Sequence, residues 1–275
     1  MELKNVEFIT DFEPGRFQHV LFDFDGTISL LREGWQSIME PMMIQAICAS
    51  SEPTLEVVQA VRDYIEESTG IQTIVQMENL ARMVRESGRV PEAEILDAQA
   101  YKKIYNDLLM VPVQARLDRL ASGELSVDDA TVAGSRDFVK AISRFSASLY
   151  IFSGTDREDV CNEARLLQVD HHFSQIWGAL RTIAEYSKEK VLGELIAQEN
   201  LQGPEVLIIG DGPVEIQNAK RFGCVSIGVA SDEVKGYGMN EYKRKRLIKA
   251  GADIIISDFR EGSALCEYLF AENRR

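Results

Sequence analysis

Short apolar or β-branched runs bounded by turn residues recur along the chain at His19–Phe22, Ser148–Phe152, Phe173–Trp177, Glu205–Ile209, Cys224–Val229 and Asp253–Ile256, and each predicts a strand. Between the later runs the apolar positions follow the 3.6-residue spacing of amphipathic helices, at Ser135–Phe145, Asp156–Leu167, Lys188–Glu199, Pro213–Phe222 and Tyr242–Ala250. Strand and helix in regular alternation imply parallel strands joined by crossover helices, an α/β doubly wound sheet. Thr155 and Glu158 have the spacing of a capping box, and Pro213 suits a first helical position.

The stretch from about residue 32 to 131 has another texture. Trp35, Ile38, Met39, Met42, Met43, Ala46 and Ile47 share one helical face, and Leu55, Val58, Val61 and Ile65 continue the style up to Gly70. Further helices are predicted at Thr73–Ser87, Glu92–Leu109 and Val113–Leu120, punctuated by Gly88, Pro112 and Gly123. No strand pattern interrupts them. The expectation is an all-α domain, residues 32–131, inserted after the first strand of an α/β domain made of 1–31 and 132–275. Met39, Met42 and Met43 read as its core.

Of the 275 residues 45% are apolar and 27% charged, an ordinary globular balance, and no apolar run is long enough to cross a bilayer. The first fifteen residues lack the apolar stretch and cleavage site of a secretory signal. Four widely spaced cysteines and three histidines argue against a zinc site or disulfide framework, and a reducing, cytoplasmic setting is expected. The net charge of −14 excludes nucleic acid and anionic membrane as expected partners. An anionic small substrate would then require strong local positive charge at its site.

Four stretches carry candidate chemistry. In HVLFDFDGTIS (19–29) a strand ends in Asp23, with Asp25 two residues later, where doubly wound sheets bind ligands. Two carboxylates this close repel unless they share a proton or cation, and Mg²⁺, which takes one or two carboxylates plus substrate phosphate, resolves that repulsion. In SLYIFSGT (148–155) a strand ends in Ser153 and Gly154 before a helix, where a hydroxyl and free N–H groups can hold an anion. Lys188 heads an amphipathic helix against the macrodipole and so calls for an anion; taken singly, a solvated surface lysine is the plainer reading of it and of Lys190. In EVLIIGDGPVEIQNAK (205–220), Asp211 ends a strand between glycines with Glu215 four residues on, a metal ligand and a possible holder of its water, or a merely structural turn.

Taken together, DxDGT, Ser, Lys and GD-x3-E in this order resemble the haloacid dehalogenase-like superfamily, most closely its phosphoglycolate-phosphatase-like members with a helical cap. The resemblance covers residues 19–30 and roughly 133–258. It implies a phosphatase in which Asp23 is the nucleophile, Asp25 the general acid and base, and Ser153, Gly154 and Lys188 the phosphate holders. It further implies Mg²⁺ held by Asp23, Asp25 through its carbonyl, Asp211 and Glu215, with Glu215 standing where the family more commonly has Asp. A phosphomutase with the same aspartyl-phosphate chemistry and a non-catalytic metal- or phosphate-binding module are the alternatives. A dehalogenase has no use for an acid at position 25.

The substrate is expected to be a small phosphorylated metabolite, and oligomeric state is left open. Gln72, Thr73 and Gln76 could line its pocket, although the simpler reading has Thr73 capping a helix and the glutamines exposed. Arg32 and Trp35 could meet substrate from the hinge, against a solvated arginine and a core tryptophan. His171 and His172 lie in a polar turn away from every motif. The YKRKR run at 242–246 reads as one solvated helix face.

Overall fold

β2 (His19–Phe22) stands inside the sheet and is buried along its whole length. Its alternate side chains point to opposite faces: Val20 and Phe22 join one apolar cluster, Leu21 another. β3 (Ser148–Asp156) and β5 (Val206–Gly210) flank it in parallel and divide in the same way, Leu149, Ile151, Leu207 and Ile209 to one face, Tyr150, Phe152, Val206 and Ile208 to the other. Both faces are therefore covered, as the unbroken apolar runs require of a parallel sheet. In this computed structural model, which describes residues 3, 5–14, 16–145, 147–180 and 186–270, the seven strands lie in the order β1-β7-β6-β5-β2-β3-β4.

The remaining parallel strands are β4 (Gln175–Ala179), β6 (Val225–Val229) and β7 (Ile254–Ile256). β1 (Val6–Phe8) pairs antiparallel with β7 at the edge, a strand the sequence pattern does not announce because a charged Glu7 sits between its two apolar residues. The crossover helices are α5 (Ser135–Ile142), α6 (Arg157–Leu166), α7 (Lys188–Gln198), α8 (Pro213–Phe222) and α9 (Glu241–Ala250), and α10 (Gly262–Leu269) packs on α5. Pro213 is the first residue of α8, as expected. The capping box at Thr155 is not formed. β3 runs on to Asp156, so Thr155 is still strand and its hydroxyl turns to Asp25 instead.

Between β2 and β3 lie α1 (Trp35–Cys48), α2 (Leu55–Glu67), α3 (Thr73–Ser87) and α4 (Ala98–Ser122). They close around their own core of Met39, Met43, Val61, Met77, Leu80 and Val113, and Met42 joins it. α4 is one helix, not two meeting at Pro112. Proline there forfeits a bond to the carbonyl of residue 108, and Leu108 is half exposed, so water can satisfy that group. The helix also begins later than Glu92, where Asp97 accepts a 2.8 Å bond from the Ala100 N–H; residues 92–94 form a short 3-10 turn. No helix among the described residues is long and apolar enough to cross a membrane.

Candidate active site

Because β2 pairs with β5 so that Phe22 faces Ile209, and with β3 so that Phe22 faces Ile151, three strand ends open at one level. Asp23 follows β2, Asp211 follows β5, and Ser153 lies in β3 between them and the helical unit. Lys188, at the start of α7, reaches in and donates a 2.8 Å bond to Asp23 Oδ1, and its ammonium also bonds Glu215 Oε1 from α8. All three side chains are buried, and the Phe152 ring lies 5.2 Å from the ammonium. Burial pushes the Asp23 carboxyl well above the usual carboxylate range; Lys188 opposes this, while Glu215 and Asp211 add to it. Lys188 is held above its ordinary value in spite of burial, because Asp23 and Glu215 stabilise its charge.

Asp211 is fixed from the other side. Lys243 of α9 is buried and donates to Asp211 Oδ2 at 2.7 Å and to Glu233, and Arg246 bonds the Asp211 carbonyl at 3.2 Å. The Asp211 carboxylate rests against Gly26, where a Cβ would meet Oδ2 at 2.5 Å; with φ at +73° the position suits glycine on both counts.

Asp25 faces β3. Its Oδ2 accepts a 2.7 Å bond from the Thr155 hydroxyl and lies 3.5 Å from Ser153 Oγ, while Oδ1 has no hydrogen-bond partner. Arg32 Nε stands 3.8 Å from Oδ1. Burial raises the Asp25 carboxyl above its ordinary value, against the opposing effects of Arg32 and the Thr155 hydroxyl. Arg32 is not solvated: it is buried, with Nη2 on Glu163 at 2.7 Å and on Asp159 at 3.1 Å. Burial lifts the Glu163 carboxyl to about 7 although Arg32 pulls the other way.

The helical unit lies directly on these loops. The Ile71 carbonyl is so close to Gly154 that a Cβ there would stand 2.6 Å from its oxygen. Between the two units remains a cavity of about 80 Å³, room for roughly half a dozen waters. Asp23, Asp25, Ser153, Gly154, Lys188 and Asp211 line it from the sheet side. Arg32, Trp35, Thr73 and Gln76 line it as well, whereas Gln72 turns away and its amide bonds the Tyr186 carbonyl. The expectation that the glutamines are exposed is overturned, since both are buried. Thr73 is not a cap either: the N-cap of α3 is Gln72, with no side-chain bond to the helix. Trp35 is only partly buried, at the edge of the helical core.

The family model for haloacid dehalogenase-like hydrolases matches residues 20–229. The chain belongs to the haloacid dehalogenase-like hydrolase family. No curated protein matches it by sequence. Its fold is shared by a predicted phosphatase from Clostridium acetobutylicum at 15% identity, covering 91% of this chain and 99% of that one with a TM-score of 0.57. A predicted phosphoglycolate phosphatase from Haemophilus somnus 129pt matches at 16% identity over 91% and 98% of the two chains, TM-score 0.57. β-Phosphoglucomutase from Clostridium difficile matches at 13% identity over 89% and 92%, TM-score 0.58.

In this hydrolase the fold gathers all four motif stretches at one end of the sheet. Of the residues that sequence reasoning missed, two bond the motif carboxylates directly. Lys243, taken for part of a solvated face, is buried in the site; it is four residues from the fully buried Leu247 and so on the inward face of α9, a signal the run of like charges hid. Thr155 is the other. His171 and His172 stay outside the site, in a 3-10 turn before β4.

Among the described residues no three carboxylate, histidine or cysteine side chains are grouped to hold a metal by themselves. Mg²⁺ seldom uses such a cage and binds one or two carboxylates with substrate oxygens and water. The donors here suit it: Asp23 and Asp211 follow neighbouring strands and both line the cavity, and the buried Glu215 Oε2 lacks a partner.

Proposed function

We propose that this hydrolase is a Mg²⁺-dependent phosphatase that cleaves a small-molecule phosphate monoester through a covalent aspartyl phosphate on Asp23. The observation that carries the reading is Asp23 itself: a buried carboxylate at a strand end, bonded at 2.8 Å by a buried lysine, with Asp211 on the neighbouring strand end and an acid of raised pKa two residues away. The predicted phosphatases among the proteins that share its fold are in keeping with a phosphatase.

Asp23 attacks phosphorus while the bond to the leaving oxygen breaks, and Asp25, whose hold on a proton burial strengthens, gives that oxygen its proton. Water then attacks the aspartyl phosphate, Asp25 takes the water's proton, and inorganic phosphate leaves as the Asp23 carboxylate re-forms. Lys188, the Ser153 hydroxyl and the Gly154 N–H hold the phosphoryl oxygens, so the reacting atoms are aligned before the bond changes. Asp23, Asp211 and the Asp25 carbonyl would hold Mg²⁺, with Glu215 turned to Lys188 and set behind them. Bound there, the cation would offset the charge gathering on phosphoryl oxygens in a pocket otherwise rich in acids.

Four free cysteines fit the reducing, cytoplasmic setting proposed for the enzyme. The reading predicts phosphate release from an aryl phosphate that needs Mg²⁺ and is abolished in Asp23→Asn. Absence of turnover over a broad panel of phosphate esters, with Mg²⁺ present, would sink it. The tight apposition of Ile71 on Gly154 is also what a mutase needs to keep water from the intermediate. In that case labelled phosphate would return to the organic product instead of passing to water.

A further inference from the structure

Beyond the phosphoryl position the cavity is walled by side chains that decide what the leaving group is. Three cations line it, and each already has a carboxylate: Lys188 on Asp23, Arg32 on Glu163 and Asp159, and Lys102 on Asp156 at 2.6 Å. Six acids line the same cavity, namely Asp23, Asp25, Asp156, Asp159, Asp211 and Glu233. A leaving group with its own carboxylate or second phosphate would enter a chamber in which each lining side-chain cation is already paired. Hydroxyl groups meet the opposite situation. Thr73, Gln76, Tyr105 and Asn106 offer donors and acceptors on the helical side, and the partly exposed Asp156 and Asp159 offer acceptors across from them.

Lys102, Asn106, Asp156 and Asp159 also line a larger cleft between α4 and α6, of about 1240 Å³, so they form the strait through which a leaving group reaches outward. Lys102 comes from the helical unit and Asp156 from the sheet. Their contact closes the strait with a neutral pair and keeps the lysine from serving an anion.

Resting on the phosphatase reading of this same site, we infer that the substrate is the phosphate ester of a hydroxyl-bearing compound without a second anionic group, a sugar or polyol, and that the Lys102–Asp156 pair excludes anionic leaving groups. The test compares kcat/KM for glycerol 3-phosphate and 3-phosphoglycerate, near-isosteres differing in hydroxymethyl against carboxylate, with phosphoethanolamine as the cationic probe and an aryl phosphate as reference. The neutral ester should lead the anionic one by about tenfold or more, and phosphoethanolamine should not fall below the anionic ester. Asp156→Asn, which releases Lys102, should shift the ratio toward 3-phosphoglycerate by about tenfold, and Lys102→Met should not. A wild-type preference for the anionic ester, or a ratio unmoved by Asp156→Asn, would overturn the inference. Aryl phosphate turnover keeps the two claims apart: without it the phosphatase reading fails, and with it only the leaving-group assignment does.

Discussion

Lys188→Met removes the one ammonium that compensates Asp23 and Glu215 together. Lys188 is about 4% exposed and Glu215 not at all, so water cannot take over. Breaking a buried pair from one side costs about 3–5 kcal/mol, and at about 2–4 °C per kcal/mol for a chain near this size the melting temperature should fall by roughly 6–20 °C. The loss should depend on pH, and its sign follows from Asp23. Its folded pKa already lies above the unfolded value, and Lys188 is what lowers it. Without the lysine it rises further. A carboxyl raised in the folded state contributes stability that is full below its unfolded pKa and fades as pH climbs through the folded one. The variant's deficit should thus be smaller at the more acid of two pH values than at the more alkaline one, in thermal scans without metal, and Mg²⁺ should recover part of it by supplying the missing charge. An equal deficit at both pH values, or none, would refute the idea that charge compensation at Asp23 is what Lys188 provides.

Thr155→Val deletes the hydroxyl that favours ionised Asp25. The acid must be protonated to act, so activity falls as pH rises through its pKa, and the alkaline limb of kcat/KM should move to higher pH. A downward shift would remove Asp25 from the acid role. Gly154→Ala drives a methyl to 2.6 Å from the Ile71 carbonyl; overpacking should cost about 1–3 kcal/mol in the closed form and lower kcat/KM while the fold survives in circular dichroism. Lys243→Met frees Asp211 from its 2.7 Å anchor. It should lower kcat/KM about 10–100-fold, and saturating Mg²⁺ should recover it only in part, since the cation can replace the lost charge but not the bond that orients Asp211; full recovery would contradict that orienting role.

The parts of the site legible in the sequence share one trait: each apolar run of the inner strands stops at a residue with chemistry to do. Phe22 gives way to Asp23, Phe152 to Ser153 and Gly210 to Asp211, so period and composition alone mark the sheet and its working end. Lys188 was legible only as a cation placed against a helix dipole. What stayed hidden depends on partners distant in the chain. Arg32 looks like a surface residue because Asp159 and Glu163, which bury it, come 127 and 131 residues later on one face of α6. The glutamines at the start of α3 look exposed for the same reason: Gln76 donates to Ser68 across the turn, and the Gln72 amide to the Tyr186 carbonyl, 114 residues on. Pro112 marked a break that solvent on the far side of α4 made unnecessary.

The central claim is that Asp23 becomes phosphorylated. Wild-type protein turning over an aryl phosphate with Mg²⁺ should be quenched in acid within milliseconds, reduced with borohydride to fix acyl phosphates, and mapped by peptide mass spectrometry. The modification should fall on residue 23, require Mg²⁺ and be missing from Asp23→Asn. Steady turnover with residue 23 unmodified, or with the label on another carboxylate, would contradict it.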